Sequence, residues 1–158
     1  MTAIKAVALD AMGGDHAPAA VVRGAVDAAR ADPRLHLLLV GRAAEVRAQV
    51  DSAVEAPAAT AAGRQDVSGR LEIVDATEVI GMDEHPATAV RAKRDSSMVR
   101  ACQLVADGRA GAVVSAGNSG AMLAASLFAM KRAPGVSRPA IGAAFPNRTG
   151  RTFILDVG

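Results

Sequence analysis

Ala6-Val-Ala-Leu-Asp10-Ala-Met-Gly-Gly-Asp-His-Ala-Pro18 is the stretch that decides how this chain folds. A short apolar run ends in aspartate, two glycines follow, and a proline stands where a helix would begin. Gly13 and Gly14 can take positive φ and let the backbone come close to a ligand. Pro18 suits the first helical position, where its missing N–H costs nothing. The reading is a strand, a tight glycine turn and a helix N-terminus with free amides facing the loop. Such an arrangement binds anions, phosphates above all. Asp15 and His16 add ionisable groups that could orient a reacting group, or Asp15 could simply satisfy backbone donors around the turn. Asp10 ends the strand, either facing the mouth of a crevice or bracing the glycine loop.

A second loop of the same design follows a hundred residues later. Ala110 to Val114 reads as a buried strand, Ser115-Ala-Gly-Asn-Ser-Gly120 comes next, and Met122, Leu123, Leu127, Phe128 and Met130 then repeat at helical spacing. Gly117 and Gly120 give the turn its freedom, while Ser115, Asn118 and Ser119 offer neutral hydrogen bonds. Two such loops at the C-terminal ends of parallel strands describe one crevice in an α/β sheet. The rest of the pattern agrees. Strands are predicted at Ile4 to Leu9, Leu35 to Val40, Leu71 to Val74, Ala110 to Val114, Ala140 to Ala144 and Thr152 to Val157. Helices are predicted from Ala19 to Ala31, Ala43 to Val54, Ser96 to Asp107 and Ser119 to Lys131. Glu55 to Gly69, rich in Ala, Gly and Pro, reads as a surface excursion. Alternation with short connections implies right-handed βαβ units, hence an α/β fold with three αβα layers and a mostly parallel, Rossmann-like sheet. No strand is followed by Gly-x-Gly-x-x-Gly or by a Gly-Lys-Ser/Thr turn, so dinucleotide and nucleoside triphosphate binding lose their usual support.

Asp10-Ala-Met-Gly-Gly-Asp-His-Ala-Pro18, Arg91-Ala-Lys-Arg-Asp-Ser-Ser-Met98, Ser115-Ala-Gly-Asn-Ser-Gly-Ala121, Arg138-Pro-Ala-Ile141 and Leu155-Asp-Val-Gly158 stand in this order along the chain. In that order they closely resemble the PlsX phosphate acyltransferases, over the whole length of the chain. The first and third motifs are the specific ones. Ser119 departs from the family's usual Thr and keeps the hydroxyl. The resemblance implies the phosphate acyltransferase or isopropylmalate dehydrogenase-like variant of the fold. It also implies that residues 1–158 are the N-terminal part of a single catalytic domain, since family members run to about twice this length. Such a piece alone is expected to be inactive and prone to self-association.

Composition bounds the partners. The 158 residues are 51% hydrophobic but 2% aromatic, without Trp or Tyr, so the core is built from Ala, Val, Leu and Ile and base stacking is nearly excluded. A formal net charge of +2 is too mild for a nucleic-acid binder, which shows a clustered basic face. No stretch approaches the roughly 18 apolar residues of a membrane span, and the N-terminus is not a signal peptide. The one cysteine, Cys102, fits a helical apolar pattern as a small buried hydrophobe, and its being alone suits a reducing cytoplasm. His36 reads as a structural strand residue, and His85, before Pro86, as a surface residue in an extended segment.

Arg91, Lys93 and Arg94 form a basic cluster ahead of the Ser96-Ser97 helix start. They read as a solvated charge run on their own; through the resemblance they become ligands for phosphate or phosphopantetheine. Ser96 and Ser97 read as helix caps. Arg138 is either a phosphate ligand or an ion-pair partner. The resemblance implies transfer of a fatty acyl group from the thioester of acyl carrier protein to inorganic phosphate, giving acyl phosphate for phospholipid synthesis. The implied catalytic group is Asn118, Ser119, Asp10 and His16. Gly13, Gly14, Asp15, Gly117, Gly120 and the four basic residues would bind substrate, with neither metal nor cofactor. It further implies a full-length homodimer in the cytoplasm and allows peripheral contact with the inner face of the membrane. Two alternatives stay open: a phosphotransacylase acting on acyl-coenzyme A, and a non-catalytic phosphate-binding fragment.

Overall fold

Parallel strands buried on both faces need apolar residues at every position, and β2 (Leu37–Gly41) supplies them. All five of its residues are buried. The pleat sends Leu37 and Leu39 to one side of the sheet, where they join Val22, Ala25, Ala29 and Val46. Leu38 and Val40 go to the other side, with Ala8, Val74, Ala101 and Leu104. The computed structural model describes residues 6–56 and 66–157. Its order is β1 (Ala6–Asp10), α1 (Ala19–Ala31), β2, α2 (Ala43–Glu55), β3 (Leu71–Asp75), α3 (Pro86–Ala92), α4 (Ser97–Ala106), β4 (Ala110–Val114), α5 (Ser119–Met130), β5 (Gly142–Asn147) and β6 (Gly150–Leu155).

Four strands form one sheet in the order β3-β2-β1-β4, and every pairing in it is parallel. The chain runs outward from β1 through β2 to β3, then returns to lay β4 on the other side of β1. That reversal is the topological switch point of a doubly wound sheet, the place where the loops after β1 and β4 come together. Those loops are the two glycine turns. A third apolar cluster, with Ile80, Val90, Met98, Cys102, Ala121 and Ala125, joins α3, α4 and α5. The fold is therefore α/β with a parallel sheet flanked by helices.

Three expectations need correction. The last two strands do not extend the parallel sheet: β5 and β6 pair antiparallel as a separate hairpin. Only Arg148 and Thr149 separate the terminal pair Asn147 and Gly150. A parallel connection needs a crossover of about a dozen residues, so so short a link can only turn back. Helix α3 was not predicted, because seven residues are too short to show a period; Pro86 at its start was the available signal. His36 lies just before β2, exposed, with only its carbonyl engaged, accepting from Val7 N at 2.9 Å. The predicted strand residues Ile4 and Lys5, and most of the Glu55 to Gly69 excursion, lie outside the described residues. Among the described residues no helix is long and apolar enough to cross a membrane.

Leu39 is fully buried at the centre of the sheet. Leu39→Ala is expected to lower stability by about 2–5 kcal/mol, read as a reduced urea midpoint with an unchanged slope.

Candidate functional site

The two glycine loops touch. A Cβ on Gly13 would lie 2.7 Å from Asp10 Oδ2, 2.8 Å from Ser115 Oγ and 2.9 Å from Gly117 N. A Cβ on Gly117 would stand 3.4 Å from Gly13 Cα and 3.0 Å from Met98 Cε. Backbone therefore packs on backbone at the switch point, which only residues without side chains permit. Gly14 has φ +102°, and its missing side chain faces Ala116 at 3.2 Å.

Beneath the contact lies Asp10, 1% exposed. Its Oδ1 accepts from Met12 N at 3.2 Å, and its Oδ2 accepts from Ser115 Oγ at 2.7 Å. Ser115 Oγ in turn accepts from Gly117 N at 3.0 Å. Asp10 thus ties the first glycine loop to the second through these hydrogen bonds. Ser115 reads from the sequence as a neutral hydrogen-bonding group of the second loop, and its bond to Asp10 goes beyond that reading. The signal was a hydroxyl directly after a strand that pairs with the strand ending in Asp10.

Asn118 caps α5. Its Oδ1 accepts from Ala121 N at 3.0 Å, while Nδ2 donates toward Glu84 O at 3.1 Å, Met82 O at 3.2 Å and Gly81 O at 3.4 Å. The amide of Asn118, which the resemblance placed in the catalytic group, is thus turned into the 81–84 loop. Gly120 serves packing, since a Cβ there would sit 2.7 Å from Pro86 Cγ at the start of α3. Ser119 is different. It is exposed at the first position of α5 and, with Ser115, Gly117, Met122 and Leu123, lines a cavity of about 280 Å³. Its lining combines serine hydroxyls with the apolar side chains of Met122, Leu123 and Ile141.

Asp15 and His16 are exposed on the first loop, and neither side chain has a partner among the described residues. The basic cluster does not act as one group. Lys93, directly after α3 and partly exposed, donates from Nζ to Glu84 Oε1 at 2.6 Å and to Val79 O at 2.8 Å. Arg91 and Arg94 line a separate groove of about 500 Å³ between α3, α4 and α5. There the Arg91 guanidinium stands 5.5 Å from the Phe128 ring centroid, a cation–π arrangement. Neither loop contributes to that groove. Arg138 is exposed after α5, without a partner among the described residues.

Ser96 and Ser97 do not cap α4 with their side chains. Ser96 occupies the cap position, but its Oγ is buried and unpartnered, because Ser96 lies in a bridge with Glu78 that draws the segment into the interior. Cys102 is fully buried, with Sγ 3.7 Å from Ser126 Oγ. Burial pushes its thiol pKa up, which removes the thiolate a nucleophile needs.

Gly13→Ala is expected to lower the urea midpoint by about 1–3 kcal/mol in stability, because the added methyl overlaps three polar atoms. The Lys93 pair has a pH signature. Glu84 is held below the usual carboxyl range, first by the hydrogen bond from Lys93 and then by that from Gly81 N. A carboxyl depressed in the folded state stabilises above its unfolded value and loses that contribution as pH falls through its folded value. Lys93→Met should therefore lower the melting midpoint at neutral pH, and the gap to the parent should close in acid, below about pH 4.

Residues 5–158 match the model of a family described as fatty acid synthesis protein. A phosphate acyltransferase of Pelotomaculum thermopropionicum is 48% identical over 152 residues, 96% of this chain and 41% of that protein. One of Heliobacterium modesticaldum is 49% identical over 96% of this chain and 42% of its own length. One of Halorhodospira halophila is 44% identical over the whole chain and 43% of its own length. The chain thus spans about two-fifths of the length of these relatives. With its loops joined at the switch point and its match running from the first strand to the last residue, the chain belongs to the fatty acid synthesis protein family, alongside the phosphate acyltransferases of the PlsX group.

Proposed function

We propose that the whole protein transfers a fatty acyl group from the thioester of acyl carrier protein to inorganic phosphate, releasing acyl phosphate for phospholipid synthesis. The observation that carries this reading is the joined pair of glycine loops, with Ser119 and a largely apolar cavity beside them. A phosphate oxygen attacks the thioester carbonyl carbon, a tetrahedral oxyanion forms, and the C–S bond breaks with its electrons leaving on sulfur. The thiolate then takes a proton from solvent.

This reaction asks little of an acid or base. A phosphate monoester has a second pKa near 6, and inorganic phosphate is similar enough to be substantially dianionic at neutral pH. A thiol with a pKa of roughly 8.5 leaves readily. The protein must hold two polar groups in line, worth about 7–11 kcal/mol, and stabilise the oxyanion. The Ser119 hydroxyl and the amides of the first loop, residues 14–16, are assigned that work. Asn118 holds the helix start that presents Ser119. His16, solvent-facing and without a side-chain partner among the described residues, is available to orient the incoming phosphate.

The test is phosphate-dependent acyl transfer by the whole protein, with labelled phosphate and either acyl carrier protein or coenzyme A thioesters as donor. Acyl phosphate made faster from the carrier-protein donor is the expected result. Preference for the coenzyme A donor would assign the phosphotransacylase reaction instead, and no label in product would end the transferase reading. Ser119→Ala is expected to lower kcat by about 100-fold, the loss of one oxyanion donor, without shifting the urea midpoint.

A further inference from the structure

We propose that Ser115 is a positioning residue that fixes the separation of the two glycine loops through Asp10, and thereby aligns the phosphate-binding loop with the oxyanion-stabilising one. The proposal rests on the transferase reading above and names a residue that reading does not use.

The argument turns on the direction of the hydrogen bonds. An ionised carboxylate only accepts. The 2.7 Å contact between Ser115 Oγ and Asp10 Oδ2 therefore takes the hydroxyl proton toward Asp10. That leaves Ser115 Oγ only its lone pairs, and the Gly117 amide donates to one of them at 3.0 Å. On the other side Asp10 Oδ1 holds Met12 N. Donors therefore converge on Asp10 from both loops: Gly117 N acts through the Ser115 hydroxyl on Oδ2, and Met12 N acts directly on Oδ1. The Gly13 gap is closed by the same atoms, since Asp10 Oδ2, Ser115 Oγ and Gly117 N are the three nearest to its absent Cβ. Asp10 is 1% exposed, so solvent does not compete for these bonds. A buried negative charge would also repel phosphate, which suits Asp10 to holding the cradle rather than contacting the anion.

The experiment compares Ser115→Ala, Ser115→Thr, Asp10→Asn and the Ser115→Ala/Asp10→Asn pair in the whole protein. Ser115→Ala is expected to lower kcat/KM for phosphate about 10- to 100-fold, the range of one hydrogen bond to a charged group. Ser115→Thr, which keeps the hydroxyl, should recover most of the loss. The double variant should be no worse than the worse single one, since both break the same chain. Hydrogen exchange supplies a readout independent of the reaction. Ser115 bonds no amide of the first loop, so faster exchange at residues 12–15 in Ser115→Ala reports coupling through Asp10. A lowered urea midpoint with phosphate kinetics and first-loop exchange both unchanged would overturn the proposal and leave Ser115 a local brace. An inactive parent would overturn the transferase reading alone, and the exchange measurement would still decide the coupling.

Discussion

A carboxylate with 1% exposure has to be met by donors, because an unanswered buried charge costs several kcal/mol. Asp10 sits at the end of the central strand β1, where the available donors belong to the two loops that the sheet topology brings together. One is its own loop, through Met12 N, and the other is the distant loop, through Ser115. The need to satisfy one charge thus becomes a constraint on two segments a hundred residues apart. The glycines follow from it. A side chain at position 13 would overlap the carboxylate and both neighbours, so the hydrogen bonds and the close backbone approach stand or fall together.

Around that centre the packing is divided. Residues of β2 alternate between a core shared with α1 and α2 and a core shared with α4. The third cluster holds α3, α4 and α5 to one another, and α5 is anchored by Asn118 and by the close fit of Gly120 against Pro86. The presentation of Ser119 accordingly depends on the 81–84 loop, whose carbonyls take the Asn118 amide and whose Glu84 is held by Lys93. The hairpin stands outside all three clusters. Phe145, Phe153, Ile154 and Leu155 are each 45% to 66% exposed, with no cover among the described residues.

Much of this could be read in the sequence, for identifiable reasons. The apolar run Leu37 to Val40 and the Gly-rich turns announce parallel strands and their loops without any long-range information, and both features are local. The meeting of the loops followed from a topological rule. Hydrogen-bond direction and side-chain partnership did not. Lys93 and Arg91 look equivalent in a charge cluster, yet two residues of separation at the end of a short helix send one into a carboxylate and the other over an aromatic ring. Asn118 reads as a donor in a polar loop until the three carbonyls around it are visible. The antiparallel hairpin was hidden because period-two strands look alike in either direction, and only the two-residue link between them carried the information.

The pairing of β4 with β1 has a consequence for how the molecule assembles. β1, β2 and β3 are joined in sequence by their own helices, so each contact closes a modest loop. β4 reaches its partner only across the whole intervening chain, with Ala6 beside Ala110. Closing that long loop carries the largest entropic cost in the sheet, though the cost grows only slowly with length. The joined loops thus sit at the one pairing of the sheet whose closure spans the most chain. Any separation of β4 from β1 would part the two glycine loops and break the Ser115–Asp10 hydrogen bond between them.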